Sequence, residues 1–109
     1  MPQLMFYRYV DDYEANLILQ NRRIEPAPHQ TRKYYTPDLY NTGAEAQAFL
    51  ALSYQPTHRV GALAIDLSDF DAVPLQIVQP DNNQHGGGLE AATTQSVPLP
   101  VTADITPIP

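Results

Sequence analysis

The run NQHGGGLEAATT, residues 83–94, sets one carboxylate, Glu90, two positions beyond three consecutive glycines, Gly86 to Gly88. Consecutive glycines are entropically costly to order, but their backbone reaches conformations closed to other residues. They also let a ligand lie directly against the main chain. A carboxylate fixed by the strand that follows would then face that ligand. The plainer alternative is a flexible hairpin loop with Glu90 solvated.

Two further groups could do chemistry. Arg8 sits within the apolar and aromatic run LMFYRYV, residues 4–10. An arginine there is expensive to bury unless it meets an anion or is hydrogen-bonded. Its planar fork suits a phosphate or carboxylate, and a structural ion pair is the competing expectation. KYYTPD offers Tyr34 and Tyr35, flat rings with a polar handle suited to stacking on an aromatic ligand, and the hydroxyl of Thr36. His29, His58 and His85 lie far apart, without metal-ligand spacing. Ser53, Ser68 and Ser96 belong to no nucleophile motif, and the phosphate-binding glycine fingerprints are absent.

Regular elements must position these groups. Residues 4–10 read as a strand, with Leu4, Phe6, Arg8 and Val10 on one face and Met5, Tyr7 and Tyr9 on the other. Asp11, followed three residues later by Glu14, has the pattern of a capping box. It announces a helix over DYEANLILQNRR, which turns Ala15, Ile18, Leu19, Tyr13 and Leu17 to a core and closes on two arginines. IEPAPHQT, with two prolines, reads as a connection. RKYYT is a short strand, and Thr42 with Glu45 opens a second helix over GAEAQAFLAL. THRVGALAIDL, VPLQIV and LEAATT are β-prone. The proline-rich tail from about residue 98 reads as an edge strand giving way to a loose terminus. The expectation is a single α+β domain over 1–109, two helices in the N-terminal half against a split, mostly antiparallel sheet.

Composition bounds the function. With 43% hydrophobic and 17% charged residues the chain is a folded globular domain. Cysteine is absent, which excludes disulfides and thiolate metal sites. The net charge is −6, and Arg8, Arg22, Arg23, Arg32, Lys33 and Arg59 are the only bases. Such a surface disfavours counterion-driven binding to nucleic acid, although the cluster at 22–33 could hold a phosphate-bearing ligand. No membrane span or secretory signal is visible, so the cytoplasm is the expected place of action.

YRYV ahead of an acid-capped helix, RKYYTPDLYNTGAEAQAFLAL, PTHRV and QHGGGLEAATT together resemble the small C-terminal toxin domains of Rhs-type and related polymorphic toxins. Those domains are similar to the ADP-ribosyltransferase superfamily. The glycine loop also resembles that of necrotizing-toxin-type NAD glycohydrolases, in which a Gln stands where Glu90 stands here. The resemblance runs over roughly residues 6–100.

It implies NAD as substrate and no metal. Arg8, with Tyr9 beside it, would hold NAD near the nicotinamide ribose and phosphates. Tyr34, Tyr35 and Thr36 would shape the nicotinamide pocket, and Gly87 and Gly88 would let the dinucleotide approach the backbone. Glu90 would be the catalytic acid of the late strand, simply ionised, with Arg8 as its catalytic partner. Gly88 stands where arginine-modifying members carry a second acid or Gln. Hydrolysis by water and transfer to a protein or nucleic-acid acceptor therefore both stay open. An immunity or antitoxin protein would be a partner. A small ribonuclease toxin domain and a non-catalytic binding domain of the same fold are the competing functions.

Overall fold

The strand at the start of the chain does more than its alternation requires, because it buries residues on both of its faces. In the computed structural model, which describes residues 4–25 and 32–109, β1 (Leu4–Val10) buries Phe6, Arg8 and Val10 on one side. Tyr9, on the other, is also buried, against Tyr40 and Ala46. Most of the expected connection at 24–31, with His29, lies outside the described residues.

β1 pairs antiparallel with β4 (His58–Ile65), which pairs with β8 (Asp104–Pro107). A second sheet takes the order β3 (Lys33–Tyr35), β6 (Leu89–Thr93), β5 (Val73–Ile77), again antiparallel. The two sheets meet where Tyr7 and Thr36 exchange backbone hydrogen bonds of 2.7 and 2.9 Å. A minor ribbon pairs β2 (Arg23–Ile24) with β7 (Val97–Pro98). The chain is thus a small α+β domain with open, antiparallel sheets and two helices in its first half. The main core lies between these elements, with Phe6 edge-on to Phe70 at 4.8 Å and Ile18, Ile24, Tyr35 and Leu63 around them.

The local caps form as their sequence signals require. Asp11 accepts the Glu14 N–H ahead of α1 (Asp12–Asn21), and Thr42 accepts the Glu45 N–H ahead of α2 (Gly43–Leu50). Glu14 does not return the bond to its own cap; its carboxylate turns to Arg8 instead. The end of α1 also differs from expectation. Arg22 is its left-handed cap at φ 57°, and Arg23 already belongs to β2, paired with Glu25. Only Ala15 and Ile18 of α1 are buried, while Tyr13, Leu17 and Leu19 are exposed. The helix rests on the sheet through a narrow stripe, so its apolar flanks face outward. Among the described residues no helix is long and apolar enough to cross a membrane.

The proline-rich tail is not loose. Leu99 and Ala103 are buried, and residues 104–107 pair with 58–61. The Ile108 N–H then bonds Thr57 O, and the Gly43 N–H bonds the Pro109 carbonyl at the head of α2. Prolines are tolerated because β8 is an edge strand, where a missing donor costs no ladder bond on its open side.

Candidate functional site

Glu90 is carried by the middle strand of the second sheet, opposite Gln76 on β5. The entry to that strand is pinned by Asp38, whose Oδ2 accepts the Leu89 N–H at 2.9 Å and the Tyr40 hydroxyl at 3.1 Å. Glu90 is half-buried, and burial pushes its carboxyl above the ordinary glutamate range. A hydrogen bond with Gln76 and the charge of Arg32 pull it back only in part. It is therefore easier to protonate than the simply ionised carboxylate expected from its type.

Glu90 faces a cavity of about 470 Å³ walled by β1, β3, the end of α2 and the segment that follows β5. Arg8 and Tyr9 come from β1, and Tyr34, Tyr35 and Thr36 from β3 and its extension. These five and Glu90 thus meet in one place although the sequence spreads them widely. Three further contributors are Tyr7, Tyr54 and Asn82, none of which stood out in the sequence. Tyr7 carried a usable signal, since it flanks Arg8 within YRYV. Tyr54 and Asn82 arrive through tertiary contacts, Tyr54 by donating its hydroxyl to Tyr9 O and Asn82 by donating its amide to Ala51 O.

Arg8 departs from the expected phosphate anchor. Its Nε and one terminal nitrogen donate to the two oxygens of Glu14, the second bond 2.9 Å long. The other terminal nitrogen donates to Tyr34 O, also at 2.9 Å. Three of its five N–H groups are so committed to the protein. Lys33 Nζ lies 3.6 Å from the same carboxylate. Burial by itself would lower the Arg8 pKa and raise that of Glu14, but their mutual attraction outweighs it in both groups. The structural ion pair, the alternative expectation, is what forms.

The other side chains divide between support and opportunity. Tyr9 is structural, its hydroxyl donating to Asp38 O and accepting the Tyr40 N–H at 2.8 Å. Thr36 accepts the Asp38 N–H through its hydroxyl. Tyr34 carries the Arg32 guanidinium over its ring, 5.8 Å from the centroid. Tyr35 is buried, and its hydroxyl has no hydrogen-bond partner among the described residues. Burial pushes that phenol well above its ordinary value, so it stays neutral.

Gly87 and Gly88, expected along a dinucleotide, do not line the cavity. The glycine run caps α2 instead. The Gly86 and Gly88 N–H groups bond Ala48 O and Phe49 O, carbonyls that the helix end leaves without intrahelical partners. The Gly87 N–H bonds Val78 O, and Gly88 O accepts the Val78 N–H. Close approach is what requires glycine here: a Cβ on Gly88 would sit 2.3 Å from the Tyr40 hydroxyl. A Cβ on Gly86 would meet the Val78 carbonyl at 2.6 Å, at a φ of +68°. Gly86→Ala is therefore expected to lose about 2 kcal/mol or more, from left-handed strain and a displaced cap bond. Thermal unfolding checks this, and an unchanged Tm would remove the capping role.

A half-buried carboxylate among aromatic rings can stabilise positive charge that develops on a bound ligand. No protein-family model matches this chain, and no curated protein or solved structure matches it either.

Proposed function

We propose that the chain is an NAD-consuming domain of the toxin type, cleaving the nicotinamide–ribose bond as a mono-ADP-ribosyltransferase or an NAD glycohydrolase. The observation that carries this reading is the convergence of Glu90 with Tyr34, Tyr35 and Thr36 on one cavity. Breaking that bond puts positive charge on the ribose, as in glycoside cleavage. Ionised Glu90 would favour this charge more in the transition state than in the ground state. The Tyr34 ring would pack on nicotinamide, with the Tyr35 ring buried in the core beneath the cavity wall. Arg8 acts through structure in this scheme, tying β3 to α1. A protein or nucleic-acid acceptor and a neutralising immunity protein belong to the same reading.

A non-catalytic binding domain is favoured by one observation, the cancellation of the Arg8 charge by Glu14. The ribonuclease reading has less support, because no histidine among the described residues lines the cavity. The deciding experiment incubates the purified chain with NAD, with and without a cell lysate as acceptor source, and measures free nicotinamide. Release is expected. NAD left intact under both conditions would leave the binding-domain reading in its place.

A further inference from the structure

Where an anionic ligand would be held follows from an account of the six basic residues. Arg8 and Lys33 converge on Glu14. Arg22 caps α1 beside a different cavity, and Arg23 is engaged by Glu25 and Ser96. That leaves Arg32 and Arg59. Among the described residues neither is within ion-pair distance of a carboxylate. Each lies beside the main cavity, outside its wall, over the ring of a tyrosine that lines it, Arg32 over Tyr34 at 5.8 Å and Arg59 over Tyr7 at 5.9 Å, and Arg59 also donates one terminal nitrogen to Tyr40 O at 3.4 Å.

We propose that Arg32 and Arg59, rather than Arg8, form the anion-binding edge of this cavity and hold the phosphates of its ligand. The proposal rests on the NAD reading for the ligand's identity and goes beyond it in naming which residues recognise the diphosphate. Guanidinium groups seated on aromatic rings keep fork donors available in the ring plane, which suits phosphate oxygens. The surrounding charge makes such an edge necessary. The cavity wall itself contributes Glu90 and Asp81, and the chain as a whole is at −6. A diphosphate could not approach two carboxylates without local positive charge to offset them.

The test is titration calorimetry with ADP-ribose, which keeps the diphosphate and lacks nicotinamide, with free nicotinamide as a second probe. Arg32→Gln and Arg59→Gln are each expected to weaken ADP-ribose binding about tenfold, the worth of one charge-assisted hydrogen bond, and to leave nicotinamide binding unchanged. Arg59→Lys, which keeps the charge at the edge of β4, should retain most of the affinity; Tm values confirm that each variant folds. If the native chain binds ADP-ribose and the double variant Arg32→Gln/Arg59→Gln binds it equally well, the proposal falls while the NAD reading stands. If the native chain binds no ADP-ribose, both fall.

Discussion

Glu14→Ala is expected to destabilise the fold by about 3–5 kcal/mol, the cost of stranding one partner of a buried ion pair. The Arg8 and Glu14 side chains are 10% and 21% exposed, so water replaces little of what the carboxylate supplies. Removing it leaves Arg8 buried beside Lys33, two like charges without their shared anion. At about 4 °C per kcal/mol for a domain of this size, Tm drops by more than about 10 °C. Adding Arg8→Met removes the stranded guanidinium and should return at least about 1 kcal/mol. The pH dependence has a definite sign. The Glu14 pKa lies below its ordinary 4.5, so its contribution is fully present above that value and is lost as pH falls through the lowered one. Glu14→Ala should lack that part of the acid destabilisation. Equal Tm values for the variant and the native chain at pH 7 would show the pair to be dispensable.

Glu90→Ala is expected to lower nicotinamide release by about 100- to 1000-fold, the scale for losing one electrostatic contact to a transition state. The contact strengthens only as charge develops on the ribose, so NAD affinity should change little. In the native chain the acid limb of the activity should fall above pH 4.5, because burial raises the carboxyl that must be ionised. Stability should move the other way. A carboxyl with a raised folded pKa contributes most below its ordinary value, and that contribution is lost as pH rises through the raised one. Glu90→Gln therefore relieves a cost at neutral pH, and its Tm at pH 7 should be slightly higher than the native value. Full turnover in Glu90→Ala would remove Glu90 from the chemistry, and a lowered Tm in Glu90→Gln would mark it as a structural residue.

How much was legible depended on the range of each signal. Asp11 and Thr42 could be read as caps because a cap is decided within three residues. The partner of Glu14 could not, since Arg8 lies across a strand–helix junction and a capping box predicts a local bond. The exposed Tyr13, Leu17 and Leu19 show the same limit. Helical periodicity names an apolar side but not how much of it the sheet will cover. The glycines were noticed for a sound reason and placed wrongly, because the carbonyls of Ala48 and Phe49 that need their N–H groups lie far back in the sequence. Arg8, Tyr34, Tyr35, Thr36 and Glu90 line one cavity, and only the resemblance, no local pattern, named them together. Backbone pairing is what places Tyr7 beside Thr36, and no local pattern encodes it.

The position of β4 between β1 and β8 bears on how the chain reaches this state. One neighbour precedes β4 in the chain and the other follows it only at residues 104–107, so the second pairing waits for that segment and carries its own loop-closure entropy. A sheet assembled from such distant segments forms slowly. Until its last strand arrives, HRVGALAI presents an open, largely apolar edge on which other chains can add. The interval of greatest risk for this fold is therefore the one between the making of β4 and that of β8, and laying down β8 is what closes it.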